Sequence, residues 1–151
     1  MGILSKEQIF INDGMSFKKE VIQLIVEKAV ELGLSDNNEE LMNSFMEREA
    51  LGMTGLGEGI AIPHAKSSSV NRVSVMVVKS EIPIQWESFD DGPVYIAIAL
   101  LVPKENADNI HLKVLSNLTR KLVNKEFKEN LLCSNTPEEI MELFKEFSIN
   151  S

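Results

Sequence analysis

The stretch Gly52-Met-Thr-Gly-Leu-Gly-Glu-Gly-Ile-Ala-Ile-Pro-His64 sets four of the chain's eight glycines ahead of one of its two histidines. Glycine lets backbone amides take positive φ and approach a ligand closely. An imidazole delivered just past such a loop, at the end of a short strand, is placed for nucleophilic or proton-transfer work. A neutral imidazole can attack phosphorus and hold the phosphoryl group as a reactive phosphoramidate, so that one ring both accepts and donates. Arg48 can neutralise the phosphoryl charge, and the second histidine, His111, can donate a hydrogen bond to its oxygens. In the first turn of a helix, His111 meets a positive dipole end, which favours its neutral form. Lys66 and the amide end of the helix beginning near residue 109 also suit an anion.

Other chemistries fit less well. No Gly-Lys-[Ser/Thr] closes the glycine stretch, so it is not a Walker-type phosphate loop. Its glycine spacing, and a helix where a strand should precede it, also depart from the dinucleotide fingerprint. A Ser-His-Asp hydrolase lacks its Gly-x-Ser-x-Gly elbow. Two histidines without a His-Glu-x-x-His segment or cysteine pairs fall short of a zinc signature. No metal and no cofactor is expected. Structural readings stay open beside the functional one: the glycines could form a plain irregular loop, His111 could be a core residue on an apolar stripe, and Arg48 and Glu49 could be solvated charges at a helix end.

The bulk properties narrow the class. Fifteen basic against 23 acidic residues give a formal charge of −8. That disfavours a nucleic-acid or anionic-membrane surface, which needs clustered Lys and Arg, though a small cationic pocket can oppose the global sign. A single cysteine, Cys133, forms no internal disulfide and suits a reducing compartment. Its context, Leu131-Leu-Cys-Ser, predicts a buried, inert thiol. Ser5-Lys-Glu-Gln interrupts the N-terminal apolar run, and no apolar segment reaches the ~18 residues of a membrane span. A cytoplasmic protein is expected. With 151 residues, 44% of them apolar and 25% charged, the chain suits one soluble domain with a full core.

The elements that must position these residues follow from periodicity and caps. Residues 3–15 read as a short strand or loop. Ser16 is the expected cap of a helix over 17–32, with Val21, Ile22, Leu24, Ile25, Ala29 and Leu32 as its apolar stripe and Gly33 as its stop. Asp36 and Glu39 resemble a capping box for a second helix, which carries Leu41, Met42, Phe45 and Met46 and ends near Arg48-Glu49-Ala50. Ser67-Ser-Ser reads as a turn and Val73 to Val78 as a strand. Glu81 to Gly92 reads as a loop holding Trp86. Val94 to Val102, nine residues and nearly all apolar between two prolines, predicts a central strand covered on both faces. Asp108 is the expected cap of a helix through about Val123, with His111, Leu115, Leu118 and Leu122 on one face. A short helix at about 125–132 follows, and Thr136-Pro-Glu-Glu opens a last helix through Phe147. Alternating strands and helices without repeats predict one α/β domain, a sandwich of helices on a central mixed β-sheet. Strand order does not follow from the pattern.

The segment Arg48-Glu-Ala-Leu-Gly-Met-Thr-Gly-Leu-Gly-Glu-Gly-Ile-Ala-Ile-Pro-His64 closely resembles the active-site segment of the fructose/mannitol-type IIA domains of the bacterial phosphoenolpyruvate:sugar phosphotransferase system. The likeness continues through Trp86 and Asp90-Asp-Gly-Pro-Val94, Leu101-Val-Pro, His111-Leu-Lys-Val-Leu and Thr136-Pro-Glu-Glu-Ile140, and so covers nearly the whole chain. The resemblance implies a phosphocarrier. His64 would be the phosphohistidine, loaded from the carrier HPr and discharged to a cysteine of a IIB domain, in concert with a membrane IIC component. It further implies that His111 stabilises the phosphoryl group and Arg48 neutralises it, with Glu49, Thr54 and Gly55 in supporting positions. A regulatory IIA of the nitrogen type would carry the same histidine. Cys133 matches no IIB site and no IIC segment is present, so the chain resembles a free-standing IIA component or an excised domain. Apolar residues rimming the site, Met53 and Leu56, are expected to dock the partners.

Overall fold

In chain order the elements are a 3-10 turn at Lys6–Gln8, β1 (Ile9–Asn12), α1 (Lys18–Glu31), α2 (Asn38–Leu51), β2 (Gly55–Gly57), β3 (Ile60–Ala61), β4 (His64–Ser67), β5 (Ser74–Ile84), β6 (Val94–Pro103), α3 (Ala107–Leu122), α4 (Lys125–Cys133) and α5 (Pro137–Leu143). The structure, a computed structural model, describes residues 3–12, 14–105 and 107–145; of Asn12, Ala107, Asp108, Ile110 and His111 it describes the backbone alone.

The apolar run Val94 to Val102 forms the axis of a six-stranded mixed sheet, as expected. On one side β6 pairs antiparallel with β5, which pairs parallel with β1. On the other side β6 is shared lengthwise. Its first half pairs parallel with β3, which carries β2 antiparallel, and its second half pairs parallel with β4, so that His64 is registered against Leu100.

Alternation along β6 builds two cores. Ile96, Ile98, Leu100 and Val102 pack under Val114, Leu118 and Leu122 of α3, Phe127 and Leu131 of α4, and Ile140 of α5. Ala97, Ala99 and Leu101 face the other way, toward Val21, Ile22, Ile25 and Ala29 of α1 and Leu41 and Phe45 of α2. On that second face Ala61, Ala65, Ala97 and Ala99 are fully or almost fully buried. Their small side chains let α2 lie close over β4, which brings the C-terminal end of α2 to the site.

Several boundaries differ from expectation, each for a local reason. Ser16 is not the cap of α1. Phe17 is, and the Glu20 carboxylate accepts from the backbone N–H groups of both Ser16 and Phe17 at 3.2 and 3.0 Å. The carbonyl of Ser16 instead accepts from Gln85, tying the chain to β5. The cap of α2 is Asn37 rather than Asp36, its side chain accepting from the Glu40 N–H at 3.0 Å. β5 runs past Val78 to Ile84, into the segment expected as loop. Asp108 lies inside the first turn of α3 rather than before it. Gly33 stops α1 at φ 75°, and Thr136 caps α5 with Pro137 in its first turn, both as expected. That helix ends at Leu143; Phe147 lies outside the described residues. Leu32 is exposed rather than part of the α1 stripe. Cys133 is exposed too, because it ends α4 on the side away from buried Leu131.

Candidate functional site

The last turn of α2 presents Arg48 and Glu49, and the glycine stretch carries the chain from there back into the sheet. Gly57, Glu58 and Gly59 form a tight left-handed turn with φ of 95°, 56° and 86°. The non-glycine member, Glu58, is held by its N–H donating to Asp90 Oδ2 at 2.9 Å and by its carboxylate pairing with Lys128 of α4. Hydrogen bonds from Gly92 N–H and Ser88 hold the Asp90 carboxyl below its usual range. Gly55 is glycine for a different reason: a Cβ there would strike the carbonyl oxygen of Glu87 and lie 2.8 Å from Ser88 Cα. The segment at Gly55 therefore runs in contact with the Trp86–Phe89 loop, with Phe89 N–H donating to the Gly55 carbonyl at 3.3 Å.

His64 opens β4 instead of closing a strand; Ile62 and Pro63 separate it from β3. Leu100 N–H donates to the Pro63 carbonyl at 2.9 Å, which anchors the strand just before the imidazole. The ring is half-buried and held at both nitrogens. Nδ1 lies 2.9 Å from the carbonyl oxygen of Ile62, and Nε2 lies 2.9 Å from Arg48 Nε. A carbonyl only accepts and a guanidinium only donates, so the proton sits on Nδ1 and Nε2 presents its lone pair. Arg48 Nη1 also donates to the Gly52 carbonyl at 3.2 Å, which aims the guanidinium. Lys66 stands exposed on the same side of β4 as His64, two residues on.

Behind Arg48 lies a second set of polar contacts. The Glu49 side chain, 4% exposed, accepts from the Thr54 hydroxyl at 2.7 Å and lies 3.4 Å from Lys18 Nζ. Thr54 in turn accepts from Trp86 Nε1 at 2.9 Å. Lys18 also binds Glu87 at 2.9 Å. Burial works against the Lys18 ammonium, but the hydrogen bond it donates to Glu87 and the charge of Glu49 outweigh it and hold it above the ordinary lysine range. A shallow cleft of about 230 Å³ opens here, lined by Lys18, Glu49, Leu51, Gly52, Met53 and Glu87.

Of the residues singled out by sequence, the fold brings Arg48 and His64 into direct contact and joins Thr54 to Glu49, the neighbour of Arg48, while Gly55 packs against the Glu87–Ser88 backbone. His111 belongs to the backbone of α3, and its side chain lies outside the described part. Sequence reasoning missed Lys18, Glu87 and the carbonyl of Ile62, and quoted Trp86 without giving it a contact. Lys18 reads as an ordinary charge in a first helical turn, and no spacing joins it to residue 49. Among the described residues, no three of His, Cys, Asp or Glu gather as a metal ion would require. Nor is any described helix long and apolar enough to cross a membrane.

Residues 2–147 match the family described as "Phosphoenolpyruvate-dependent sugar phosphotransferase system, EIIA 2". The fructose-specific EIIA component of Haloferax volcanii is 30% identical over 140 residues, covering 93% of this chain and 90% of that protein. The 2-O-α-mannosyl-D-glycerate-specific EIIABC component of Escherichia coli is also 30% identical, over 90% of this chain; the chain spans only 21% of that longer relative. Among solved structures, the nitrogen regulatory protein IIA-Ntr from Neisseria meningitidis superposes with a TM-score of 0.84 at 31% identity, over 93% of this chain and 95% of that one.

Proposed function

The chain belongs to the EIIA 2 family of the phosphoenolpyruvate-dependent sugar phosphotransferase system, whose members are phosphoryl-transferring components, and on that premise we propose that His64 Nε2 is its phosphoryl acceptor. The observation that carries this reading is the ring held at both ends: Nδ1–H on the Ile62 carbonyl and the Nε2 lone pair facing Arg48 Nε, each at 2.9 Å. The donor is phospho-HPr. Nε2 attacks phosphorus in line as the N–P bond of the donor imidazole breaks, and that bond's electron pair returns to the donor nitrogen. Arg48 loses its acceptor when the Nε2 lone pair becomes a bond, and swings its donors onto the phosphoryl oxygens. Because Nδ1–H stays on Ile62, the phosphorylated ring is cationic and a good leaving group. A thiolate of a IIB domain then takes the phosphoryl group, and the Nε2–P electron pair returns to the ring.

His111 stabilises the phosphoryl oxygens in this reading. Its support is topological, since β6, registered at Leu100 against His64, runs three residues further to Pro103 before α3 begins at Ala107. Docking falls to the apolar residues around β2: Leu51, Met53, Leu56 and Phe89 are 85%, 44%, 41% and 68% exposed. The protein works in the cytoplasm, with a membrane IIC component completing uptake of a sugar such as fructose or a related hexose or hexitol.

Incubation with phospho-HPr, followed by mass spectrometry, is expected to show one acid-labile, base-stable phosphoryl group, absent in His64→Gln. Labelling that survives His64→Gln refutes the assignment. The similarity to the IIA-Ntr structure favours a second reading, a regulator that signals by its phosphorylation state. A panel of purified IIB domains separates the two. Transfer to a sugar-specific IIB supports transport, and transfer to none of them favours regulation.

A further inference from the structure

Two different elements carry Arg48 and His64, and a chain of hydrogen bonds outside the phosphoryl chemistry joins them. The Thr54 hydroxyl accepts from Trp86 Nε1 at 2.9 Å and donates to Glu49 Oε2 at 2.7 Å. Indole only donates and a carboxylate only accepts, so the direction of that hydroxyl is settled. The other Glu49 oxygen lies 3.4 Å from Lys18 Nζ. On one side the path continues along the main chain. Thr54 C=O accepts from Ile62 N–H at 2.9 Å, and Ile62 C=O accepts from His64 Nδ1 at 2.9 Å. On the other side Glu49 is the immediate neighbour of Arg48 on the last turn of α2.

We infer that Lys18, Glu49, Thr54 and Trp86 form a positioning brace that holds His64 in its Nδ1–H tautomer with Arg48 aimed at Nε2. The alternative tautomer would put a proton on Nε2, where it would face the Arg48 donor and leave no lone pair for phosphorus. A buried ion pair such as Lys18–Glu49 adds little net stability compared with apolar residues of similar volume. Its contribution here is direction: Lys18 and Thr54 each hold one oxygen of Glu49, and the Thr54 carbonyl holds the N–H of Ile62. None of the four touches the reacting atoms, so their effect reaches the chemistry only through Arg48 and His64.

The inference rests on the reading of His64 as phosphoryl acceptor, but its first readout needs no phosphorylation. In long-range 1H–15N correlation spectra of the full chain, Thr54→Val, which keeps the side-chain shape and removes the hydroxyl, is expected to raise the Nε2–H fraction of His64 several-fold. Phosphoryl uptake from phospho-HPr should fall about 10-fold, as expected for a misaimed reacting group. Thr54→Ser should restore both. An unchanged tautomer ratio in Thr54→Val overturns the inference, whatever the variant's melting temperature. Should Thr54→Val not fold, Glu49→Gln takes its place in the same spectra; a rise in the Nε2–H fraction supports the brace and an unchanged ratio overturns it. Failure of the unaltered protein to accept phosphate would instead sink the phosphohistidine reading and leave the tautomer result standing.

Discussion

Arg48 holds two acceptors at once, His64 Nε2 through Nε and the Gly52 carbonyl through Nη1. Its planar fork makes this possible, and an ammonium on a flexible stem lacks it. Arg48→Lys is therefore expected to slow phosphoryl uptake about 10²-fold, the scale of losing one preorganised donor to a developing charge. Rapid-quench labelling with phospho-HPr measures it, and a rate within twofold of the unaltered protein would show that charge alone suffices. Each of these two side chains could be singled out because residue types were informative, a rare histidine after clustered glycines and an arginine at a helix end, but their direct contact could not. The Ile62 carbonyl was not legible, since every residue has one and only the path of the chain between β3 and β4 turns this one toward the imidazole. Lys18 was hidden for a related reason, its partners Glu49 and Glu87 being remote in sequence and brought to it from α2 and from the loop between β5 and β6.

Among elements, the glycine stretch reads from sequence as room for a ligand's close approach, and its structure divides that role. Gly57 and Gly59 take positive φ in the turn, whereas Gly55 is required by contact with another segment. Gly55→Ala should push β2 off the Glu87–Ser88 backbone and cost about 1–3 kcal/mol, the usual range for overpacking. Thermal unfolding by circular dichroism checks this, and an unchanged melting temperature would mean that the Trp86–Phe89 loop yields freely. Long, strongly patterned elements such as α1 and β6 could be read from sequence. The extension of β5 to Ile84 could not, because Ser80-Glu-Ile-Pro-Ile lacks alternation and contains Pro83. That proline sits in the irregular stretch between Lys79 and Ile84, where a missing N–H breaks no ladder bond. Caps slipped by one residue for a similar reason: Asn37 and Asp36 are equally able to cap, and only the path of the chain selects between them.

At the scale of the whole molecule, class and layer count followed from alternating strands and helices, but strand order depends on which edges β1, β3 and β4 find. The alanines of one sheet face offer no polar contrast to read, since Ala97 and Ala99 alternate with equally apolar Ile96 and Ile98, although their small size lets α2 lie close over β4. An excess of acidic residues, by contrast, was plain in the sequence, and its effect on stability depends on where the carboxylates are held. Glu87 is kept below the usual value of 4.5, first by its hydrogen bond from Lys18 and then by its own backbone N–H, and Lys18 is held above the usual 10.5. A depressed carboxylate contributes stability above its unfolded value and loses it as pH falls through the folded one. A raised lysine contributes below its unfolded value and loses it only as pH rises through the folded one. The pair should thus support the fold across neutral pH and fail first on acidification below about 4.5. Glu87 is 66% exposed, so screening keeps its share below about 1 kcal/mol. Glu87→Gln is expected to lower stability slightly at pH 7 and to flatten the acid limb, so that the two proteins' urea midpoints converge below the usual carboxylate range. Curves that stay parallel through that range would assign the acid sensitivity to other carboxylates, of which Asp90 and Glu138 are also held low by hydrogen bonds.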